Sequence, residues 1–293
     1  MNFGLLQASR KKRECIVKGL PIRECGLDFF PILMEHYEDF IQSKEAMIVR
    51  QSTLPVKYAA MDYLSAIFAM EVDAFKESEG KDSVGGGMFA KLIRLLGLSL
   101  RIDIDSESLN DNVYYINNED RIAIEKIVLT QTDADGEQRT AEITPFQFST
   151  QIRPLIALQN RIELPDEAEN ADLVEAYEDK KALEGNGVSV NPDIEDMKST
   201  VAYLSGITDK EILSWTIRDF ENRRRAIDRV EKHRAYRQAE LGGMVTFKNG
   251  NPYPSLFFDP IDDTLGTMKF SEVGKQLNGV ANEGKGTNNQ NSL

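Results

Sequence analysis

Residues 208–241 read TDKEILSWTIRDFENRRRAIDRVEKHRAYRQAEL and contain the strongest helix signal in the chain. Thr208 can cap the free amides of a first helical turn, and Glu211 can reach back to the start of the same turn. Gly242 and Gly243 follow, and glycine accepts the left-handed backbone that ends helices. The segment therefore predicts one long helix with an apolar face made of Leu213, Ile217, Phe220, Ile227 and Val230.

The same helix reverses the charge of the chain around it. Between Thr216 and Arg237 there are seven arginines and one lysine against four acidic residues, which leaves net +4, whereas the whole chain carries −13. The functional interpretation is an electropositive face that docks a partner. The alternative is a solvated surface helix held by ion pairs such as Asp219–Arg223 and Asp228–Lys232.

Composition limits the classes of function. The chain has 293 residues, of which 41% are hydrophobic, and this is enough for one large domain or two small ones. The net charge of −13 works against extended contact with nucleic-acid phosphates. There is no apolar run of membrane-spanning length and no signal-peptide pattern at the start, so we expect neither a membrane partner nor secretion. We expect Cys15 and Cys25 to be reduced, with a bridge across a hairpin as the alternative.

The hydrophobic periods predict an α+β protein, mainly helical with a small antiparallel β meander in the middle. Residues 14–27 predict two short strands around Gly19, and helices follow at 33–41, from Leu54 onward and over 88–96. Alternating apolar residues then predict strands, and they lie at 98–104, 113–116, 122–130 and 138–143.

A second helix start lies at Thr144, where Pro145 and Gln147 complete a capping box, and Pro154 predicts a kink. An acidic stretch and a polar tail then suggest how the chain is divided. The predicted parts are 1–162, a helical region with the β meander; 163–191, an acidic linker; 192–277, a C-terminal helical region with an extended arm; and 278–293, a disordered tail.

No residue pattern predicts a catalytic, cofactor or metal site. His36 and His233 are the only histidines, which is too few for a histidine-based metal site. The acidic residues of 103–107 begin like a calcium loop but lack its later glycine and glutamate. Gly85–Gly87 precede a helix, as in phosphate-binding loops, without the lysine motif of such loops. We therefore expect a protein that is not an enzyme and needs no cofactor; the alternative is an enzyme with a carboxylate-bound metal.

The residues best suited to bind a partner lie on the basic helix and on the aromatic arm beyond it. Trp215 is the single tryptophan, and aromatic residues and arginine are the usual anchors of protein interfaces. The alternative is that the arm packs on the helix it follows. The candidate partner-binding residues are Trp215, Arg218, Arg223, Arg224, Arg225, Arg229, Tyr253, Phe257 and Phe258.

Three segments resemble tail-region proteins of phages and prophages of Gram-positive bacteria. They are TPFQFSTQIRPLIALQNRIELPDEAEN at 144–170, LSGITDKEILSWTIRDFENRRRAIDRVEKHRAYRQAELGGMVTFKNG at 204–250, and GLDFFPILMEHYEDF at 26–40 followed by MDYLSAIFAM at 61–70. The resemblance carries no invariant functional residue over to this chain. The chain departs from the family in two respects. Many tail assembly chaperones are shorter, and the central meander is not a feature associated with them.

What the resemblance implies is a role in tail morphogenesis. The chain would be a tail assembly chaperone that holds tape-measure or tail-tube subunits in the host cytoplasm before they polymerise. A structural virion protein of the tail or baseplate is one alternative. The other is a nucleic-acid-binding regulator that uses the basic helix over 208–241.

Overall fold

The computed structural model describes residues of one unit of the chain, Met1–Glu169 with Ser189–Asp259. A second unit, Asn170–Val188 with Pro260–Leu293, lies outside the described residues. Within the described part the protein is mainly helical and carries two small antiparallel sheets, which confirms the predicted α+β class. The described residues are 9–77, 87–102, 112–118, 121–132, 135–167, 193–243 and 256.

A helix and a hairpin form the segment in which the sequence predicted two strands over 14–27. The elements are α1 (Arg10–Lys18), β1 (Ile22–Glu24) and β2 (Leu27–Phe29). The prediction is wrong for the first half because Ser9 caps the helix by accepting from the Lys12 amide, and Gly19 ends it in left-handed backbone. The hairpin turns at Cys25–Gly26, where both residues have positive φ, as a tight two-residue turn requires. Both cysteines of this region are free thiols, as predicted.

Helices and short 3₁₀ turns fill the next part of the chain. The helices are α2 (Tyr37–Lys44), α3 (Val56–Ala59), α4 (Tyr63–Glu77) and α5 (Met88–Leu100), and the 3₁₀ turns are Met34–His36, Glu45–Met47 and Gln51–Thr53. The helix predicted from Leu54 is therefore two helices. The break is stabilised by Asp62, whose carboxylate accepts from the Ser65 amide (2.9 Å) and so caps α4.

The end of α5 differs from the prediction. The sequence predicted a helix stop at Gly97 and a strand from Leu98, whereas α5 continues through Leu100 and ends at Arg101 in left-handed backbone (φ 55°). Gly97 and most apolar residues of this helix are buried. A helix buried on several sides lacks a polar face, and its apolar run can alternate like a strand.

The predicted meander is confirmed. Its strands are β3 (Val113–Asn118), β4 (Arg121–Thr132) and β5 (Gln138–Ile143), in the antiparallel order β3-β4-β5. Ile127 pairs with Val113 on one side and with Ile143 on the other, and all three side chains are buried. This register gives the sheet one apolar face, as the alternating sequence requires.

The Thr144 capping box is also confirmed. Its hydroxyl accepts from the Gln147 amide (3.3 Å), and the Gln147 side chain accepts from the Thr144 amide (3.0 Å). The elements that follow are α6 (Pro145–Gln147), a π-helical turn (Phe148–Ile152) and α7 (Arg153–Asn160). The irregularity predicted at Pro154 is this π turn, because a wider turn accommodates a ring that has no amide hydrogen.

Three buried amide side chains hold the strand β2 and the residues after it, a stretch that we call the hub segment, residues 27–34. Gln131 accepts from the Asp28 amide (2.9 Å) and donates to the Asp28 carbonyl (2.8 Å). Gln159 and Asn160, at the end of α7, bind a hub carbonyl (2.9 Å) and a hub amide (2.8 Å). These bonds satisfy backbone groups that would otherwise be buried without partners.

The last described helices are α8 (Ile194–Ser205), α9 (Asp209–Leu213) and α10 (Ile217–Leu241). Residues from both predicted helical regions share one hydrophobic core, for example Phe148 and Ile156 with Ile212 and Phe220. The predicted linker and tail lie mostly or wholly outside the described residues, so the domain boundaries remain a prediction. None of the described helices is both long enough and apolar enough to cross a membrane.

Candidate protein-docking helix

The long helix predicted from Thr208 is divided into α9 and α10. The Thr208–Glu211 capping box forms as predicted and starts α9. A second cap then starts α10: the Thr216 hydroxyl accepts from the Asp219 amide (3.1 Å) and donates to the Asp219 carboxylate (2.7 Å). Thr216 has extended backbone (ψ 150°), which ends one helix and begins the next.

Tertiary contacts explain this break. The Met34 amide of the hub segment donates to the Trp215 carbonyl (2.9 Å), and the Ile217 amide donates to the Ile32 carbonyl (2.9 Å). Thr216 lies between these bonds and forms an antiparallel bridge with the hub. Strand-like pairing needs extended backbone, so the helix cannot run through this point.

The first turn of α10, residues 217–220, is fixed in the core, and we call it the base. Ile217 and Phe220 are fully buried, and the Phe220 ring meets the Tyr37 ring edge to face with 6.3 Å between centroids. Arg218 is also buried and donates to the Leu158 carbonyl (2.6 Å), near the carboxyl end of α7. A cation there interacts favourably with the helix dipole.

This position changes the role of Arg218. The sequence placed it among the partner-binding residues, but its guanidinium is bonded inside the protein. Burial, and to a lesser extent the nearby Arg161 charge, lowers the pKa of Arg218. Arginine nevertheless stays protonated in proteins. Arg218 therefore anchors the helix and does not belong to its exposed face.

The rest of α10, residues 221–241, continues beyond the base, and we call it the shaft; within it Ile227 still packs against the core. Most of its side chains are exposed or half-buried. Its acids and cations form surface ion pairs: Glu221–Arg224 (2.8 Å), Glu163–Arg225 (3.4 Å), Asp228–Lys232 (2.8 Å) and Glu231–Arg234 (2.7 Å). The predicted Asp228–Lys232 pair is therefore present.

An open groove lies where the shaft leaves the base. Its volume is about 540 Å³, and it is lined by Trp215, Asp219, Asn222, Arg223 and Ala226. The Arg223 guanidinium lies over the Trp215 ring, 5.7 Å from the ring centre, in place of the predicted pair with Asp219. An aromatic ring and a cation that share one groove suit a ligand with both apolar and anionic groups.

Three residues of this groove, Asp219, Asn222 and Ala226, were not among the predicted partner-binding residues. With Trp215 they recur at spacings of four, three and four, which is a helical stripe. That stripe could have been found from the sequence. It was not recognised because hydrophobic periodicity identifies only the apolar stripe, which lies on another side of the helix.

Exposed apolar side chains accompany the shaft. Tyr203 and Leu204 end α8, which packs on α10, and they are 85% and 47% exposed. On the shaft itself Tyr236 is 42% exposed and Leu241 is 77% exposed. Arg229 is half-buried. The remaining predicted residues of this site, Tyr253, Phe257 and Phe258, lie outside the described residues.

The structure also bears on the other chemistry weighed from the sequence. The carboxylate of Glu71 accepts from the amides of Phe89 and Ala90 (2.6 and 3.2 Å) and so occupies the amino end of α5. This helix end has a partner within the protein. The segment 103–107 lies outside the described residues. In the described ranges, no three acidic, histidine or cysteine side chains lie close enough together to hold a metal ion.

Comparison with known proteins found no matching family model, no matching curated protein and no matching solved structure.

Proposed function

We propose that this protein is an interaction protein of phage tail assembly, which binds tape-measure or tail-tube subunits through the shaft of α10 in the host cytoplasm. Two lines of support differ in kind. The resemblance of 26–40, 61–70, 144–170 and 204–250 to tail-region proteins suggests the partners. The arrangement of α10 suggests how they are bound.

One observation carries the proposal: α10 is fixed at its base and presents a long shaft. Ile217 and Phe220 are buried in the core, whereas the shaft continues for about 30 Å at 1.5 Å per residue. An exposed amphipathic helix is a common element for holding another polypeptide. The buried base fixes its direction, which lowers the entropy cost of binding.

The charges of the shaft favour a protein partner over nucleic acid. Acidic residues alternate with the arginines and pair with them, as at Glu221–Arg224 and Glu231–Arg234. A phosphate backbone would meet these carboxylates together with the net charge of −13. A polypeptide can exchange the surface pairs for its own, because each is worth only about 0–1 kcal/mol.

The test uses tagged full-length protein isolated from cells that produce the phage, with bound proteins identified by mass. We expect tape-measure or tail-tube protein to co-purify with it. A variant with Arg223→Glu, Arg224→Glu and Arg225→Glu should lose this capture while keeping its helix content. The matched control replaces three lysines outside α10 by glutamate, namely Lys44, Lys76 and Lys210, and this variant should still capture the partner.

Three outcomes would count against the proposal. Equal loss of capture in the control variant would mean that capture depends on the net charge of the chain and not on α10. Stoichiometric presence of the chain in purified virions would favour the structural virion protein. A gel shift with DNA at sub-micromolar protein and about 150 mM salt, tighter than ordinary non-specific binding, would favour the nucleic-acid-binding regulator.

A further inference from the structure

The helix α1 carries positive charge at its amino end, where positive charge destabilises a helix. Its first turn contains Arg10, Lys11, Lys12 and Arg13 and no acidic residue. Cations near the amino end of a helix oppose its dipole, and each costs up to about 1 kcal/mol. A sequence selected for stability alone would place acidic residues there. This arrangement therefore suggests that the cations serve another purpose.

Among the residues that the structure describes, only part of this charge is neutralised. Lys12 pairs with Glu24, and Lys18 pairs with Glu14. Arg10, Lys11 and Arg13 form no ion pair with any residue that the structure describes. Arg10 and Lys11 are exposed and Arg13 is half-buried. The amino-terminal half of α1 thus presents three cations to solvent.

Apolar side chains continue the same surface toward the end of the helix. Val17 is 67% exposed, and Leu20, just beyond the helix, is 46% exposed. A shallow groove of about 470 Å³ joins the charged and the apolar parts, and it is lined by Arg10, Arg13, Glu14, Val17 and Lys18. We call this surface, with Lys11 and Leu20, the α1 face.

The α1 face is held rigidly on the protein. Ile16, on the opposite side of the helix, is buried in the core. Gly19 follows the helix with φ 65°, and a Cβ atom there would lie 3.3 Å from the Thr216 side chain at the start of α10. The helix is therefore fixed at its carboxyl end, and its cations are presented by a fixed scaffold.

We propose that the α1 face binds an acidic segment of a partner polypeptide that also carries aliphatic side chains. Carboxylates would pair with Arg10 and Arg13, and an aliphatic side chain would cover Val17 and Leu20. This site goes beyond the shaft of α10, since it lies on a different helix and binds through its own residues.

Charge complementarity and the apolar part decide between the ligand classes. A phosphate backbone would satisfy the arginines but would leave Val17 and Leu20 uncovered. A lipid surface is much wider than this nine-residue helix, so it would contact the acidic chain well beyond the α1 face, which a short peptide does not. A short acidic and aliphatic peptide can pair with the arginines and also cover Val17 and Leu20, and the Glu14 carboxylate in the groove is already paired with Lys18.

The experiment measures binding of the full-length protein to a fluorescein-labelled peptide of alternating aspartate and leucine, by fluorescence anisotropy. The comparison probes are an aspartate-only peptide of equal length, a labelled DNA duplex and phosphatidylglycerol vesicles. The variants are Arg10→Glu with Arg13→Glu, and Val17→Ser with Leu20→Ser. The control, Lys76→Glu with Lys210→Glu, makes the same change in net charge at exposed sites on other helices.

We expect the aspartate–leucine peptide to bind at least about tenfold more weakly to each α1 variant and unchanged to the control. The aspartate-only peptide should be insensitive to the serine variant. The melting temperature of the glutamate variant should stay the same or rise, because its new charges agree with the helix dipole. A fall in melting temperature together with lost binding would indicate damage to the fold and overturn the assignment.

Other outcomes would also overturn it. If DNA or vesicles bind more tightly than the peptide through the same arginines, the face recognises phosphate. If the wild type dimerises and the α1 variants do not, the occupant is a second copy of the chain. If peptide binding depends on Arg223 but not on Arg10, the site is on α10. In that last case the proposed function survives and this inference fails.

Discussion

Replacing Phe220 by alanine should release the base of α10 from the core. The ring is fully buried and meets Tyr37 edge to face at 6.3 Å. Truncation of a buried phenylalanine to alanine costs about 3–5 kcal/mol, which includes the cavity that remains. Since domains are stable by about 5–15 kcal/mol, this is a large fraction of the total. The effect should be visible as a lower urea midpoint with a similar slope.

The assay is urea unfolding followed by the fluorescence of Trp215 and by circular dichroism. Trp215 is the single tryptophan and lies at the joint between α9 and α10, so its emission reports on the base. The control is Leu241→Ala on the shaft, where the side chain is 77% exposed. We expect this control to cost less than about 0.5 kcal/mol, as exposed positions usually do.

The comparison of the two variants tests the division of α10 into base and shaft. A cost below about 1 kcal/mol for Phe220→Ala would mean that the ring is not packed as described, because that is less than the usual range for such sites. Equal costs at both positions would mean that the shaft is held as firmly as the base. Either result would remove the structural support for a helix that is fixed mainly at its base.

Three further changes test other contacts. Thr216→Val should lower the free energy of unfolding by about 1–2 kcal/mol through loss of a buried cap, and more than Thr208→Val at an exposed cap, as measured by urea titration. Asp28 binds Arg23 and Arg139, which lower the pKa of its carboxyl group. Its contribution to stability is therefore present above the pKa of an unfolded aspartate and is lost as pH falls through the folded pKa. Urea midpoints measured across acidic pH should vary less in Asp28→Asn than in the wild type. Gly87→Ala would place a Cβ atom 2.1 Å from the Glu71 side chain, which forces that carboxylate away from the α5 amides, and should cost about 1–3 kcal/mol by thermal melting.

Local signals in the sequence were sufficient where the structure depends on local chemistry. The capping boxes at Thr144 and Thr208 form because each needs only a hydroxyl and a side chain three residues later. The meander forms in the predicted order because Ile127 and its neighbours alternate in a two-sided sheet. These features depend little on distant parts of the chain.

The sequence was insufficient where distant residues decide the local structure. The break before α10 exists because the hub segment pairs with Thr216, and nothing near Thr216 predicts that contact. Arg218 looks like a surface cation, but it lies beside the Leu158 carbonyl, which is 60 positions earlier. The groove at Trp215 is an intermediate case: its residue spacing is visible in the sequence, but the groove itself forms at the joint that the hub creates, which the sequence does not show.

The hub segment is translated long before the residues that bind its backbone. Its backbone partners lie far along the chain: Gln131 is 103 positions after Asp28, and Gln159 is 130 positions after Phe29. The Ile32 carbonyl of the hub segment also accepts from the Ile217 amide, and Ile217 is translated nearly two hundred residues after Ile32. This takes roughly ten to forty seconds at about 5–20 residues per second. During that interval β2 can pair with β1, but the distant residues that hold the rest of the hub segment have not all been made. The apolar hub residues Phe29 and Ile32, which are buried in the finished protein, therefore lack part of their permanent contacts while the protein is being made.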